Sequence, residues 1–387
     1  MKRGLIYLDY AATTPVDDLV LEAMIPYFCD IFSNPSSKHA CGRKAASAVE
    51  IARKTLADLM GARDPSSVVF TSGASESNNL AIKGYAENFE EPRHFVTTAL
   101  EHKATLQAIE DLGEWGHKVS IVKPGRDGIV NPNDVLGALT EDTVLVSCML
   151  VNNEIGTIQP IDDISDLCRE RGIVFHCDAT QAFGKMPVRV SGIDMMSISA
   201  HKFYGPKGVG ALYVSPDIDV KCQISGGSQE MGKRSGTLNV PGIVGMSEAA
   251  KISCGRMAFE WDRLSEISLM FKEFIDRSIP MSYVQGESSH KVPWILNVCF
   301  AGADAGLVRD RLGEKEICVS RTSACAKSGA KSHVLEAIGA SDKISSGAVR
   351  FSFGSRTTKA KVQVAARELA EAVSMTRKTD KEGQFYQ

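Results

Sequence analysis

Cysteines at motif spacing are missing from this chain: none of its ten lies in a Cys-x-x-Cys arrangement, and they follow no regular interval. A disulfide framework is therefore not expected, and a reducing, cytoplasmic setting is. No metal site is expected either. Charge of one sign is also lacking, with 44 Lys and Arg against 47 Asp and Glu and a formal net charge of −3. That balance gives no electrostatic case for nucleic acid or lipid as a direct partner. No apolar run reaches membrane-spanning length without polar interruption. The start, Met1 to Gly4 followed by Leu5 to Leu8 and then Asp9, is too short an apolar run for a secretion signal. Internal repeats and low-complexity tracts are absent as well.

What remains is 387 residues, 43% of them hydrophobic, enough for about two to three domains with real cores. Ala45, Val49, Ala52, Leu56 and Leu59 recur at spacings of four and three, which predicts a helix with one buried face. Strands are predicted at 68–71, 94–98, 118–122, 144–148, 173–177, 194–199 and 209–214, with helices over 76–89 and after Glu101. Strands separated by helical spans predict a mostly parallel, seven-stranded sheet covered on both faces, an α/β fold. Past about residue 241 a long helical region runs to near 277. Strands at 294–300, 316–319 and 348–353 and helices near 304–312, 331–338 and 358–374 follow. This predicts a large domain over 16–254. The smaller α/β domain takes 255–387, with residues 1–15 packed against it. Cys148, Cys177, Cys299 and Cys318 sit in apolar runs and are expected to be buried hydrophobes. Lys378 to Gln387 reads as a loosely ordered polar tail.

Three segments suggest a cofactor site. Thr71 to Asn79 follows a strand and opens a helix, with Gly73, Ala74 and Ser75 at the turn. Small residues, a hydroxyl and unpaired helix N–H groups suit a phosphate, although an ordinary helix cap uses the same residues. The glycine spacing there is neither a dinucleotide fingerprint nor a P-loop. Asp178 ends a strand, where it either holds a pyridine nitrogen protonated or caps the next turn, and Gln181 lies three residues on. Lys202 closes the run Ser199-Ala200-His201-Lys202 before a glycine-rich turn and is the Schiff-base candidate. Lys207, within Gly205-Pro206-Lys207-Gly208, is the rival lysine and suits the turn better. His102 opens a helix and suits ring stacking or proton transfer, or else simple capping. Asn153 suits a ring hydroxyl.

Taken in order, these motifs resemble the NifS-like cysteine desulfurases, of the class V aminotransferase superfamily and fold-type I pyridoxal-phosphate enzymes. The resemblance rests on Leu8-Asp9-Tyr10-Ala11-Ala12-Thr13-Thr14-Pro15, Asn34-Pro35-Ser36-Ser37, Thr71 to Ser77, Glu101-His102-Lys103-Ala104 and Asn152 to Gly156. It extends through Asp178-Ala179-Thr180-Gln181, Ser199 to Lys202, Arg234-Ser235-Gly236-Thr237 and Val349 to Gly354, covering nearly the whole chain. It implies pyridoxal phosphate on Lys202, Asp178 at the pyridine nitrogen, His102 on the ring face, and Asn153 and Gln181 about the ring hydroxyl. It implies Ala74, Ser75, Ser199 and His201 around the phosphate. Thr237 would complete the phosphate cup of a partner subunit, making the enzyme a homodimer. Ser75 stands where many members have threonine, which keeps the hydroxyl.

The stretch Ser320 to Lys331 is polar and small-residue-rich, and reads as a mobile loop. By the resemblance its Cys325 is the sulfur-accepting nucleophile, with Lys327 and Lys331 nearby in sequence to favour thiolate. Arg350 would grip the carboxylate of L-cysteine through its fork, with Asn34 near the same group. The product pair would be L-alanine and a Cys325 persulfide, destined for a protein acceptor. An iron–sulfur scaffold, a tRNA-thiolation protein and a DNA phosphorothioation system all remain open. The loop is about one residue shorter than in housekeeping members and carries Gly329-Ala330-Lys331 where a leucine and an acid are common. The close alternative is a selenocysteine lyase or another pyridoxal-phosphate β-elimination enzyme, which needs no thiol at Cys325. A different class altogether is a scaffolding protein that kept the fold and lost the chemistry.

Overall fold

The computed structural model describes residues 4–321 and 332–377. Twelve strands occur among them. They are β1 (Ile6–Tyr7), β2 (Val68–Thr71), β3 (His94–Thr98), β4 (Lys118–Val122), β5 (Thr143–Met149) and β6 (Val174–Asp178). The rest are β7 (Met195–Ser199), β8 (Gly210–Val214), β9 (Ser282–Val284), β10 (Ile295–Phe300), β11 (Ile317–Cys318) and β12 (Ala348–Ser352).

Seven strands form one sheet, as the sequence predicts, and their order is β2-β8-β7-β6-β5-β3-β4. Only β8 runs antiparallel to its neighbours. The central strands are buried along nearly their whole length, which is why they read as continuous apolar runs rather than alternating ones. Edge strand β4 is mostly exposed. Because β3, β5, β6 and β7 are parallel, Thr98, Met149, Asp178 and Ser199 end at one edge, where open α/β sheets gather ligands.

A smaller antiparallel sheet, β12-β10-β9, forms the C-terminal α/β part. There β1 pairs in parallel with β11, and Asp9 bridges to Ser352, so the first residues join the last third of the chain. The helix Val240–Ser278 runs 39 residues without a break. It packs on Ala40–Met60 on one side and on Lys359–Thr376 on the other, tying the two sheets' surroundings together. Among the described residues no helix is long and apolar enough to cross a membrane. One burial expectation is corrected: Cys148, Cys177 and Cys299 are buried, but Cys318 is only half-buried, because β11 is a two-residue strand paired on one side only.

Candidate active site

A cavity of about 500 Å³ opens at the carboxyl edge of the large sheet. Its wall brings together Ala74, Ser75, His102, Asn153, Asp178, Gln181, Ser199, His201, Lys202 and Arg350, residues drawn from six separate stretches of sequence. That volume suits a cofactor together with a small amino acid.

One end of the cavity is built for an anion. The helix Ala74–Ala86 starts there after Gly73, whose φ of 152° favours glycine. A side chain at Gly210 would come within 2.6 Å of the Gly73 backbone, so β8 and the turn touch directly. Ser72, Ser75 and Ser199 bring hydroxyls to the wall around this turn. His201 bonds Thr13 Oγ1 through Nδ1 at 3.1 Å. Burial first, then Lys202 and Lys207, push its pKa down to about 4, so the ring is neutral and able to donate one hydrogen bond. Glu76 also faces the cavity, and Arg234 covers its charge at 2.8 Å.

The opposite wall holds a fixed carboxylate. Asp178 Oδ1 accepts from the Thr180 N–H at 3.0 Å, and Oδ2 accepts from Asn78 Nδ2 at 2.8 Å. The same Asn78 amide also donates to Thr105 Oγ1 at 3.0 Å, which locks the side chain. His102 caps the helix Lys103–Glu114 by accepting from Ala104 N–H through Nδ1 at 3.2 Å. His102 thus caps its helix and also lines the cavity. Burial pushes its pKa down, Lys202 and His333 act the same way, and Asp178 opposes them. With Nδ1 accepting, the neutral ring carries its proton on Nε2.

Lys202 sits in the turn Ala200–Lys202 directly after β7. Its Nζ donates to the carbonyls of Ala11 and Ala12, each at 2.8 Å, while Gln181 Nε2 donates to Ala11 O at 2.9 Å. Arg350, only 1% exposed, donates from Nη1 to Asn153 O at 2.9 Å and from Nη2 to Asp9 Oδ1 at 2.7 Å. Its Nε has no partner among the described residues and remains to be satisfied.

Two of the expected residues that are described are not in the wall. Asn34 is exposed, and its Oδ1 accepts from Ser36 N–H at 2.9 Å, stabilising its own turn. Thr237 is exposed too. Cys325 lies outside the described residues. Conversely, Asn78 and Thr180 line the cavity and Asp9 holds Arg350, although none was singled out for such a role, and the rival lysine Lys207 lines it too. Lys207 therefore faces the site as well as shaping its turn.

The aminotransferase class-V family model matches residues 6–364. A cysteine desulfurase IscS from Anaeromyxobacter dehalogenans is 44% identical over 379 residues, 96% of this chain and 93% of that relative. The chain belongs to the NifS-like cysteine desulfurases. A solved NifS-like protein matches with a TM-score of 0.91 at 35% identity, over 96% of this chain and 100% of that one. The structure of SspA in complex with cysteine matches at TM-score 0.81 and 39% identity, over 90% of this chain and 98% of that one. The family implies pyridoxal phosphate as cofactor, cysteine as substrate and a protein as sulfur acceptor. The donor set fits that cofactor: an anion cradle at a helix N-terminus, a carboxylate locked by an amide, and a lysine between them.

Glu101, beside His102, is fully buried. Its Oε1 accepts from Thr98 Oγ1 at 2.7 Å and from Met149 N–H at 2.9 Å. Burial pushes its pKa up to about 8, so at neutral pH the folded protein keeps a proton that the unfolded chain has lost. Folding stability should therefore fall as pH rises from the ordinary carboxyl range toward 8, by on the order of a few kcal/mol. Glu101→Gln should flatten that slope in urea unfolding measured below and above this window. An unchanged slope would assign the pH dependence to other groups.

Proposed function

We propose that this enzyme moves sulfur from L-cysteine to Cys325 and releases L-alanine, with the cavity residues in the following roles. Bound pyridoxal phosphate supplies an electron sink for the substrate's α-carbon. The Ala74 helix start, Ser75, Ser199 and neutral His201 hold its phosphate, and Asp178, locked by Asn78, holds its pyridine nitrogen. His102 lies against the ring, and Asn153 and Gln181 lie at the ring hydroxyl. Lys202 would hold the aldehyde carbon and, once freed by the substrate amine, would move protons at the substrate's α and β carbons. Arg350 takes the substrate carboxylate, its orientation fixed by Asp9 and the Asn153 carbonyl.

The Cys325 thiolate then attacks the substrate sulfur. An S–S bond forms as the substrate C–S bond breaks, its electron pair goes to carbon, and a proton completes alanine. His102 helps manage the thiol proton. The observation that carries this reading is the convergence of Lys202, Asp178 and Arg350 on one cavity. The enzyme is read as a cytoplasmic homodimer. Exposure of Thr237, outside its own cavity, supports its reaching the partner's phosphate cup. The division into 16–254 and 1–15 with 255–387 belongs to the same reading. The acceptor is one of the three classes named above, and co-purification would tell them apart.

The β-elimination alternative differs at one residue. Cys325→Ala should cut alanine and sulfide production by about a hundredfold or more while the bound cofactor's absorbance stays. Sulfur release that persists in this variant would favour a selenocysteine lyase or related eliminating enzyme.

A further inference from the structure

Lys185 is a half-buried lysine next to the cavity that none of the steps above employs. It follows Gly184 in the turn that leaves β6, and its Nζ donates to Gln181 Oε1 at 3.4 Å. The other end of that amide donates to Ala11 O at 2.9 Å, and the same carbonyl accepts from Lys202 Nζ at 2.8 Å. Hydrogen bonds thus run without a gap from Lys185 through Gln181 and Ala11 to Lys202. With Lys185 donating to Oε1, the amide has only one sensible orientation.

On its far side Lys185 faces the Trp294 ring, 5.7 Å from the centroid, across a cavity of about 50 Å³ between the two sheets' surroundings. Tyr10, Asp17, Tyr204, Arg256 and Glu260 line that cavity too. Asp17 pairs with Arg256 at 3.5 Å and Glu260 with Arg263 at 2.6 Å, while burial pushes both tyrosines up and keeps them neutral. Burial first and then Lys202 bring Lys185 down to about 7. The influence runs back as well, since Lys185 is among the charges that hold His201 low.

We propose that Lys185 is a positioning residue of the reaction, orienting the Gln181 amide at the cavity wall and coupling its own charge to that of Lys202. The proposal rests on the reading of Lys202 and Gln181 given above. A positive charge at Lys185 disfavours a proton at Lys202, so removing it should favour that proton. Lys185→Met also removes a desolvated cation from an aromatic setting, so folding should be retained.

The test is a pH titration of the bound cofactor's visible absorbance in the holoenzyme, without cysteine. Lys185→Met should raise the midpoint by about half a unit or more, and Lys185→Arg should return it to the wild-type value. In a Gln181→Met background the shift should shrink, because part of the coupling runs through the amide. If Lys185→Met does not fold, Lys185→Gln gives the same comparison. A midpoint that stays put in the neutral variant, with only the melting temperature changed, would overturn the proposal. Wild-type protein that binds no cofactor would instead overturn the reading on which the proposal rests.

Discussion

Lys202→Ala protein is expected to fold, to bind pyridoxal phosphate only reversibly, and to make alanine about a thousandfold more slowly or worse. The side chain leaves a turn fixed by β7 and spans the cavity to the Ala11 and Ala12 carbonyls. Truncation leaves Ala11 O still paired with Gln181 and removes only one donor from Ala12 O, so the fold loses little. Covalent anchoring and proton transfer are lost together, since one amine serves both. Lys207→Ala is the control: it also faces the cavity, but a role confined to the anion end should weaken cofactor retention without abolishing turnover. Gel filtration followed by visible spectroscopy and alanine assay reads both effects. A Lys202→Ala enzyme within about tenfold of wild type would remove the lysine from the chemistry.

Arg350→Leu should lower kcat/KM for L-cysteine by about a hundredfold, chiefly through a raised KM. Its guanidinium is pinned by Asn153 O and Asp9, and its unsatisfied Nε leaves hydrogen-bonding capacity for a carboxylate. The signature is selective: preference for L-cysteine over cysteamine, which lacks the carboxylate, should largely vanish. Removing the cation also strands Asp9, whose other oxygen keeps, among the described residues, only the Ser320 hydroxyl at 3.1 Å, so some stability goes too. Asp9→Asn separates these effects, because it retains a hydrogen-bonding side chain while freeing the arginine fork. If Arg350→Leu lost stability but kept its preference for cysteine over cysteamine, the substrate clamp would lie elsewhere.

Much of the large sheet was legible because its strands are buried on both faces and stand out as apolar runs between helices. β2, β3 and β4 fall where the sequence puts them, and the other predicted strands of this sheet shift by a residue or so at their ends. β1 and β9 were not legible, because two or three residues cannot display a period of two. The helix predicted over 76–89 begins at Ala74 and ends at Ala86, since its first turn is the small-residue anion cradle rather than an apolar face.

The site divides in the same way. Residues that carry chemistry announce themselves: Lys202 lies in a turn, Asp178 ends a strand, and Arg350 is a charge in the middle of a buried strand. Residues that hold them do not. Asn78 meets Asp178 across 100 positions and Asp9 meets Arg350 across 341, and no local pattern encodes either pairing. No local pattern marks Lys185, and only the fold sets it behind Gln181.

The most direct measurement gives purified holoenzyme L-cysteine, with no acceptor or reductant, and follows alanine and the mass of the Cys325 peptide together. The account predicts alanine appearing in step with a single added sulfur on Cys325, with turnover slowing until a thiol removes it. A cofactor-loaded protein that makes no alanine, or makes it freely while Cys325 stays unmodified, would contradict the account.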